Sequence, residues 1–257
     1  MKIHPSAIVH PKAELDEGVE VGPYSIIGEN VKIGKNTVVG PHVVIDGWTE
    51  IGEDNKIFQF ASIGMVSQDL KYKGEVSYLK IGNKNTIREY VTMHIGTEGG
   101  GGITKVGDNN LFMIGSHVAH DCIVGNNNIL ANLATLAGHI VIEDNAIVGG
   151  VVAVHQFCRI GKMAIIGGCS KIVQDVPPYM MADGNPLEIR GINIVGLKRK
   201  NLGSEVLHNL KEAYRIIYRS NLNTSQAIEK IKAELPESTE IKELITFIEG
   251  SSRGITK

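Results

Sequence analysis

The sequence predicts a parallel β-helix followed by an α-helical segment, and three observations carry that prediction. An aliphatic residue recurs at every sixth position, small residues stand two places before it, and helical periodicity takes over from Ser204 onward. Stepping by six from Ile3 gives Val9, Leu15, Val21, Ile27, Ile33, Val39, Ile45, Ile51, Ile57 and Ile63 without a miss. The phase returns at Ile81, Ile87 and Met93. It then shifts by one and runs from Val106 through Phe112, Val118, Val124 and Leu130 to Ile172. Neither a helical period of about 3.6 nor plain strand alternation produces a period of six. A prism with one hexad per flat side does, each aliphatic residue pointing inward.

Strand side chains alternate, so the residue two before the aliphatic one also points inward. That place holds Ala7, Ala13, Ser25, Thr37, Ala61, Ser116, Cys122, Ala134, Ala146, Cys158, Ala164 and Ser170, sizes that a narrow interior admits. The pattern resembles the hexapeptide-repeat family, which implies an all-β left-handed parallel β-helix; handedness comes from the resemblance, since periodicity does not reveal it. Two breaks interrupt the repeat. MVSQDLKYKGEVSYLK, near 65–80, puts Asp69 and Glu75 at inward sites and reads as a loop spanning the length of one coil. HIGTEGGGGITK, near 94–105, contains the run Gly99–Gly102 and reads as a mobile loop. Loops on a rigid scaffold are favoured places for function.

The repeat ends near Ile172, and QDVPPYMMADGNPLEIRGIN is expected to be irregular. Three helices should follow. The first is capped by Ser204, with Val206, Leu210, Ala213, Tyr214 and Ile217 on its apolar face. The second runs through Ala227, Ile231 and Leu235 towards Pro236; the third carries Ile241, Leu244, Ile245 and Ile248, with Gly250 as its stop. The division is 1–190 for the β-helix and 191–257 for a helical domain that caps the prism or packs on its side.

Composition narrows the function classes. Hydrophobic content of 42% and charge of 21% suit a globular protein, and a net charge of −2 carries no nucleic-acid signature. No apolar stretch is long enough to span a bilayer, no signal peptide is visible, and three cysteines at odd spacing make no disulfide framework. A reduced, cytoplasmic protein is expected, neither membrane-embedded nor bound to nucleic acid.

Residues eighteen apart should stack about 4.8 Å apart in successive coils. This arithmetic brings His120, His139 and His155 to one edge, with His117 and Gln156 in the same outward stripe. Cys122 and Cys158 fall inward, two coils and about 9.6 Å apart, too far for a disulfide; Cys169 is unassigned. The histidines admit three readings: solvated surface, metal ligands or a general base. The His-x2-His spacing differs from the His-x4-His pair of γ-class carbonic anhydrases, so no metal is expected. An imidazole beside a carboxylate suits deprotonation of a hydroxyl near neutral pH, with Asp121 supporting His120 if His120 sits at a corner. The Gly138 N–H, one coil up, is placed to meet an oxyanion. Base plus oxyanion donor implies acyl transfer to an alcohol.

Together SQDLKYKGE, HVAHDCIVGNNNILAN, LAGH, VAVHQFC, QDVPPY and GINIVGLKRK resemble the acyl-carrier-protein–UDP-N-acetylglucosamine O-acyltransferases of lipid A synthesis, over essentially the whole chain. The repeat's start at Ile3 disfavours a related N-acyltransferase that begins with an extra domain. The resemblance implies a homotrimer, acyl carrier protein bearing a phosphopantetheine-linked 3-hydroxyacyl group as donor, UDP-N-acetylglucosamine as acceptor, and no other cofactor. His120 would be the base, Asp121 its support and Gly138 the oxyanion donor. Gln68, Asp69 and Lys71 would contact the sugar nucleotide, with His94, His117, His139, His155 and Gln156 lining the cleft. Asn193 and Arg199 match nucleotide or phosphate contacts, and Gly168 the position limiting acyl length, which suggests about fourteen carbons. Lys198, Arg199 and Lys200 form a basic patch suited to an acidic carrier protein. Val195 stands where some members carry glutamate, and Lys200 replaces a common arginine. An acetyl-CoA-dependent acetyltransferase of the same fold is the alternative.

Overall fold

The hexads fold into short, mostly two-residue strands; the computed structural model describes residues 1–257. Consecutive strands join successive sheets, giving three sheets of 11, 9 and 8 strands that close a left-handed parallel β-helix. Three hexads make one coil, so Glu20 pairs with Val38 and His117 with Thr135. Each inward aliphatic residue from Val21 to Ile172 is at most 4% exposed. Burying such a side chain is worth roughly 1.5–3 kcal/mol, and the repeat supplies one per hexad. Ile3 is 43% exposed because the first coil has no coil beneath it.

One feature of the interior follows from the same spacing although small residues alone were expected there. Asn55, Asn85, Asn110 and Asn128 point inward in successive coils. The Oδ1 of each accepts the backbone N–H of the residue one coil up, as Asn85 N–H to Asn55 Oδ1 at 2.9 Å and Asn128 N–H to Asn110 Oδ1 at 2.8 Å. The amides of Asn55, Asn85 and Asn110 donate to the carbonyls of Gly82, Gly107 and Gly125. A buried amide is tolerated when its groups are paired in this way.

The excursions are tighter than expected. Trp48 pairs with Tyr78, thirty residues on instead of eighteen, so the first adds twelve residues, and Met65 and Tyr78–Ile81 are strand. The phase survives because twelve is two hexads; no whole coil is skipped. Tyr78 pairs with Ile103, twenty-five on, so the second adds seven, which is the one-residue phase shift. It spans 95–102, includes a 3-10 turn at Glu98–Gly100, and leaves Ile103–Val106 in the wall.

Beyond Ile172 the chain is ordered where irregular backbone was expected. Met180–Asp183 pairs parallel with Ile165–Ile166, and Glu188–Ile192 folds back antiparallel on it. These strands leave the period of six, burying Met180 and Ala182, two apart, then Ile189 and Ile192, three apart across a bulge. Residue 190 lies inside the second of them.

A short helix α1, Ile194–Arg199, follows, capped by Asn193 accepting from Gly196 N–H at 2.9 Å. Then come α2, Ser204–Arg219, α3, Thr224–Glu234, and α4, Thr239–Glu249. Ser204 does not cap α2: Gly203 is the N-cap, with no side-chain bond. Both expected positions are filled, since α2 packs on the terminal hairpin while α4 lies along the third sheet. Arg159 stacks 4.1 Å over Phe247 and donates to Gly250 O, meeting the carbonyl end of α4. Lys162 and Tyr179 both bind Glu243 from below. No helix is long and apolar enough to cross a membrane.

Candidate active site

From Tyr90 to Cys169 each side of the prism ends in a two-residue corner whose second member has positive φ. On the edge that follows the second sheet those second members are Asp121 (φ 59°), His139 (φ 61°) and Phe157 (φ 66°). Their predecessors are His120, Gly138 and Gln156, eighteen apart. Because the chain turns here, neighbours that would point to opposite faces of a strand converge: His120 Nδ1 lies 2.8 Å from Asp121 Oδ2. The Asp121 side chain is fully buried and already accepts Thr97 N–H at 2.8 Å and Thr97 Oγ1–H at 2.6 Å. A carboxylate so surrounded can only accept, so Nδ1 carries the proton and Nε2 is left with a free lone pair.

Gly138 lies against the His120 ring. A Cβ at residue 138 would fall 2.6 Å from His120 Nε2, so a side chain there would displace the ring. The Gly138 N–H has no acceptor within the chain. The same corner position elsewhere holds Pro5, Pro11, Pro23 and Pro41, which have no N–H at all. The prism therefore does not need this donor, and residue 138 can offer it to a ligand.

The cleft over this pair has a volume of about 630 Å³ and is lined by Gln68, Asp69, Lys71, His94, His117, His120, Gly138 and Gln156, among others. The first excursion supplies the opposite wall. There Asp69 Oδ1 accepts Lys71 N–H at 3.0 Å, and Leu70 at the tip is 101% exposed. His117 sits beside Thr92, Nδ1 to Oγ1 2.7 Å, and its ring meets that of His94 edge-on. His94 is buried with no partner for Nδ1, and burial, with His117 and His120 close by, pushes its pKa down to about 4. Burial and His120 likewise lower His117. Both rings are neutral donors or acceptors near pH 7.

His139 stands edge-on to His120 and lowered by burial, with Asp121 Oδ2 at 3.9 Å. Its neighbour in the next coil is Phe157, stacked at 4.4 Å. His155 had been expected in that place; it is exposed, turned to Gln156 O, and does not line the cleft. Adding eighteen to His139 itself reaches Phe157, so the spacing contained the correct partner. Asn193, Arg199 and Gly168 do not line the cleft of a single chain. Asn193 is buried, bound to Met163 O and Gly196 N–H, while Arg199 and Gly168 are exposed. Thr97 gave no sequence signal because it lies outside the repeat, whereas Thr104, which accepts Asp121 N–H at 2.8 Å, occupies the inward small-residue place two before Val106.

His120, Asp121 and His139 bring possible ligand atoms within 4.8 Å of one another, the Asp121 carboxylate among them. Three hydrogen bonds already occupy its oxygens, which favours a positioned base over a ligand set. Cys122 and Cys158 are inward and free, their thiols pushed up to about 12 and about 11 by burial, which makes them packing groups and not nucleophiles.

Comparison with known proteins gives the family. Residues 13–47 and 103–138 match the bacterial transferase hexapeptide family, and 175–256 match domain 2 of UDP-N-acetylglucosamine O-acyltransferase. The acyl-[acyl-carrier-protein]–UDP-N-acetylglucosamine O-acyltransferase of Paracidovorax citrulli is 56% identical over 99% of both chains. A solved structure of LpxA from Acinetobacter baumannii superposes with a TM-score of 0.97 at 50% identity, covering 99% of each chain. The UDP-N-acetylglucosamine O-acyltransferase (LpxA) of Moraxella catarrhalis gives 0.97 at 44%, covering 100% of each. With such identity along its whole length and the same fold throughout, the chain belongs to the UDP-N-acetylglucosamine O-acyltransferase family.

Proposed function

We propose that the chain transfers a 3-hydroxyacyl group from acyl carrier protein to the 3-hydroxyl of UDP-N-acetylglucosamine, the first step of lipid A biosynthesis, in the cytoplasm. One observation carries the chemistry: His120 is held through Nδ1 by Asp121, which leaves Nε2 free beside Gly138, whose N–H is unpaired. His120 Nε2 takes the proton of the sugar hydroxyl as its oxygen attacks the thioester carbonyl carbon. The tetrahedral oxyanion accepts Gly138 N–H. Collapse breaks the C–S bond, and the imidazolium returns its proton to the departing phosphopantetheine sulfur. An ester and a free thiol result, with no further cofactor. General-base assistance of this kind contributes roughly 10²–10⁴-fold, and each well-aimed oxyanion donor about 10²–10³-fold.

Gln68, Asp69 and Lys71 on the excursion, with His94, His117, His139 and Gln156, suit the hydroxyl-rich sugar and its diphosphate. His155, Asn193, Arg199 and Gly168 belong to this reading as residues supplied across subunits of a homotrimer, with Gly168 bearing on acyl length. Two features support assembly: those residues lie outside the single-chain cleft, and an exposed ladder of Tyr24, Phe60, Tyr90, Leu133 and Val151 runs along another prism edge. Exposed apolar ladders of this length mark contact surfaces. Light scattering that returned the mass of one chain would end the assembly reading. Lys198, Arg199 and Lys200 are exposed and suit an acidic carrier protein.

The test is label transfer from 3-hydroxymyristoyl carrier protein to UDP-N-acetylglucosamine, wild type beside His120→Ala, with acetyl-CoA as an alternative donor. Transfer from the carrier protein that drops about 10³-fold in a folded variant is expected. Equal activity in the variant would remove His120 from the chemistry, and transfer from acetyl-CoA alone would replace the donor.

A further inference from the structure

The glycine-rich excursion at 95–102 does something that neither the cleft nor the base explains. It folds back on itself through Gly100 N–H and Gly102 N–H to Thr97 O, 3.0 and 2.7 Å, so that Thr97 faces the prism edge. Thr97 then spans the Asp121 carboxylate, its N–H on Oδ1 and its hydroxyl on Oδ2. The hydroxyl shares Oδ2 with His120 Nδ1, so the oxygen that orients the imidazole is the one Thr97 fixes. Gly100 covers the carboxylate from outside. A Cβ there would fall 2.5 Å from Oδ1 and nearer still to Cγ and Oδ2, whereas one at Gly99 would meet nothing within 4 Å. The backbone of the excursion is braced in turn by Glu98 N–H on Glu75 of the other excursion, 3.2 Å.

We propose that Thr97 and Gly100 form a clasp that locks the Asp121 carboxylate against rotation and shields it from water, making Thr97 a positioning residue for His120. The inference rests on the reading of His120 as base. Asp121 sits at a corner, where its own backbone fixes the Cα but leaves the carboxylate free to turn. Two donors from one residue, one to each oxygen, remove that freedom. The absent side chain at Gly100 lets the clasp close. Thr97 bonds to Asp121 and not to His120 itself, so its loss is expected in turnover, through the aim of the imidazole.

The test is steady-state kinetics and thermal melting of Thr97→Val, Thr97→Ser, Gly100→Ala and Gly99→Ala beside His120→Ala. A hydrogen bond to a charged group is strong enough that its loss costs about 10- to 100-fold in rate. Thr97→Val should lose that much in kcat with KM for the sugar nucleotide unchanged, and Thr97→Ser should recover to within about threefold of wild type. Gly100→Ala should lose a comparable factor and Gly99→Ala none. If Thr97→Val does not fold, the Gly100→Ala and Gly99→Ala pair carries the test. Wild-type kcat in folded Thr97→Val and Gly100→Ala, while His120→Ala is dead, would overturn the clasp. A loss that appears in KM alone would overturn it too. An active His120→Ala would overturn the base on which it rests.

Discussion

Two edges of the prism carry carboxylates at nearly equivalent corners and use them differently. On the edge that follows the third sheet, Asp144 Oδ1 accepts Asn126 N–H at 2.7 Å and its side-chain amide at 3.1 Å, and Asn126 in turn accepts Asp108 N–H at 2.8 Å. All partners come from adjacent coils, and the result is a staple. On the edge that follows the second sheet, Asp121 takes its partners from the neighbouring histidine and from an excursion. It staples no coil to the next. The difference teaches that the corner supplies position, and the source of the partners decides whether a carboxylate stabilises or works.

The largest expected effect separates the two edges directly. Asp121→Asn should lower kcat about 10²-fold with little change in melting, since an amide cannot hold Nδ1–H and both Thr97 donors together. Asp144→Ala should instead lower the melting temperature and leave kcat alone. Equal kinetic losses in the two would erase the distinction. A second measurement concerns the interior behind the third edge. Asn110→Ala leaves the N–H of Asn128 without its acceptor and breaks the ladder, at a cost of about 1–3 kcal/mol by denaturant unfolding. The smallest effect is a slope with pH. His94 is held neutral well below its ordinary 6.5, to about 4. Its unfolded form takes up a proton first, so the stability due to the neutral ring is complete above about 6.5 and lost as pH falls towards 4. Melting temperature followed across that window should fall more steeply in wild type than in His94→Gln.

Much of this was legible in the chain. The hexad gave the prism, its inward residues and the eighteen-residue stacking that brought His120 under Gly138, because a period of six puts one inward aliphatic residue on each flat side; the hand of the coil came from the family resemblance. The phase gave the lengths of the excursions only to within a multiple of six, so the first was read as a whole coil where the strand pairing sets it at twelve residues. The terminal hairpin was not legible because its bulged pairing follows no period of six, and α1 was not because it is only Ile194–Arg199.

The site was legible in its outward stripe and not in its support. Periodicity named His120, Asp121, Gly138, His117 and His139, since all lie on coils. It placed His155 where Phe157 stands because the arithmetic was applied one residue off the ring itself. Thr97 and Gly100 belong to an excursion whose length, and not whose pattern, is set by the repeat. Their meeting with Asp121 depends on how that segment folds back across the edge, a contact twenty-four residues apart in sequence. By itself the sequence determined the prism, its corners and the histidine stack, since these follow from a local rule repeated. Only the tertiary structure decided which nitrogen of His120 is free and what holds Asp121 still, since both depend on loop contacts that no period encodes.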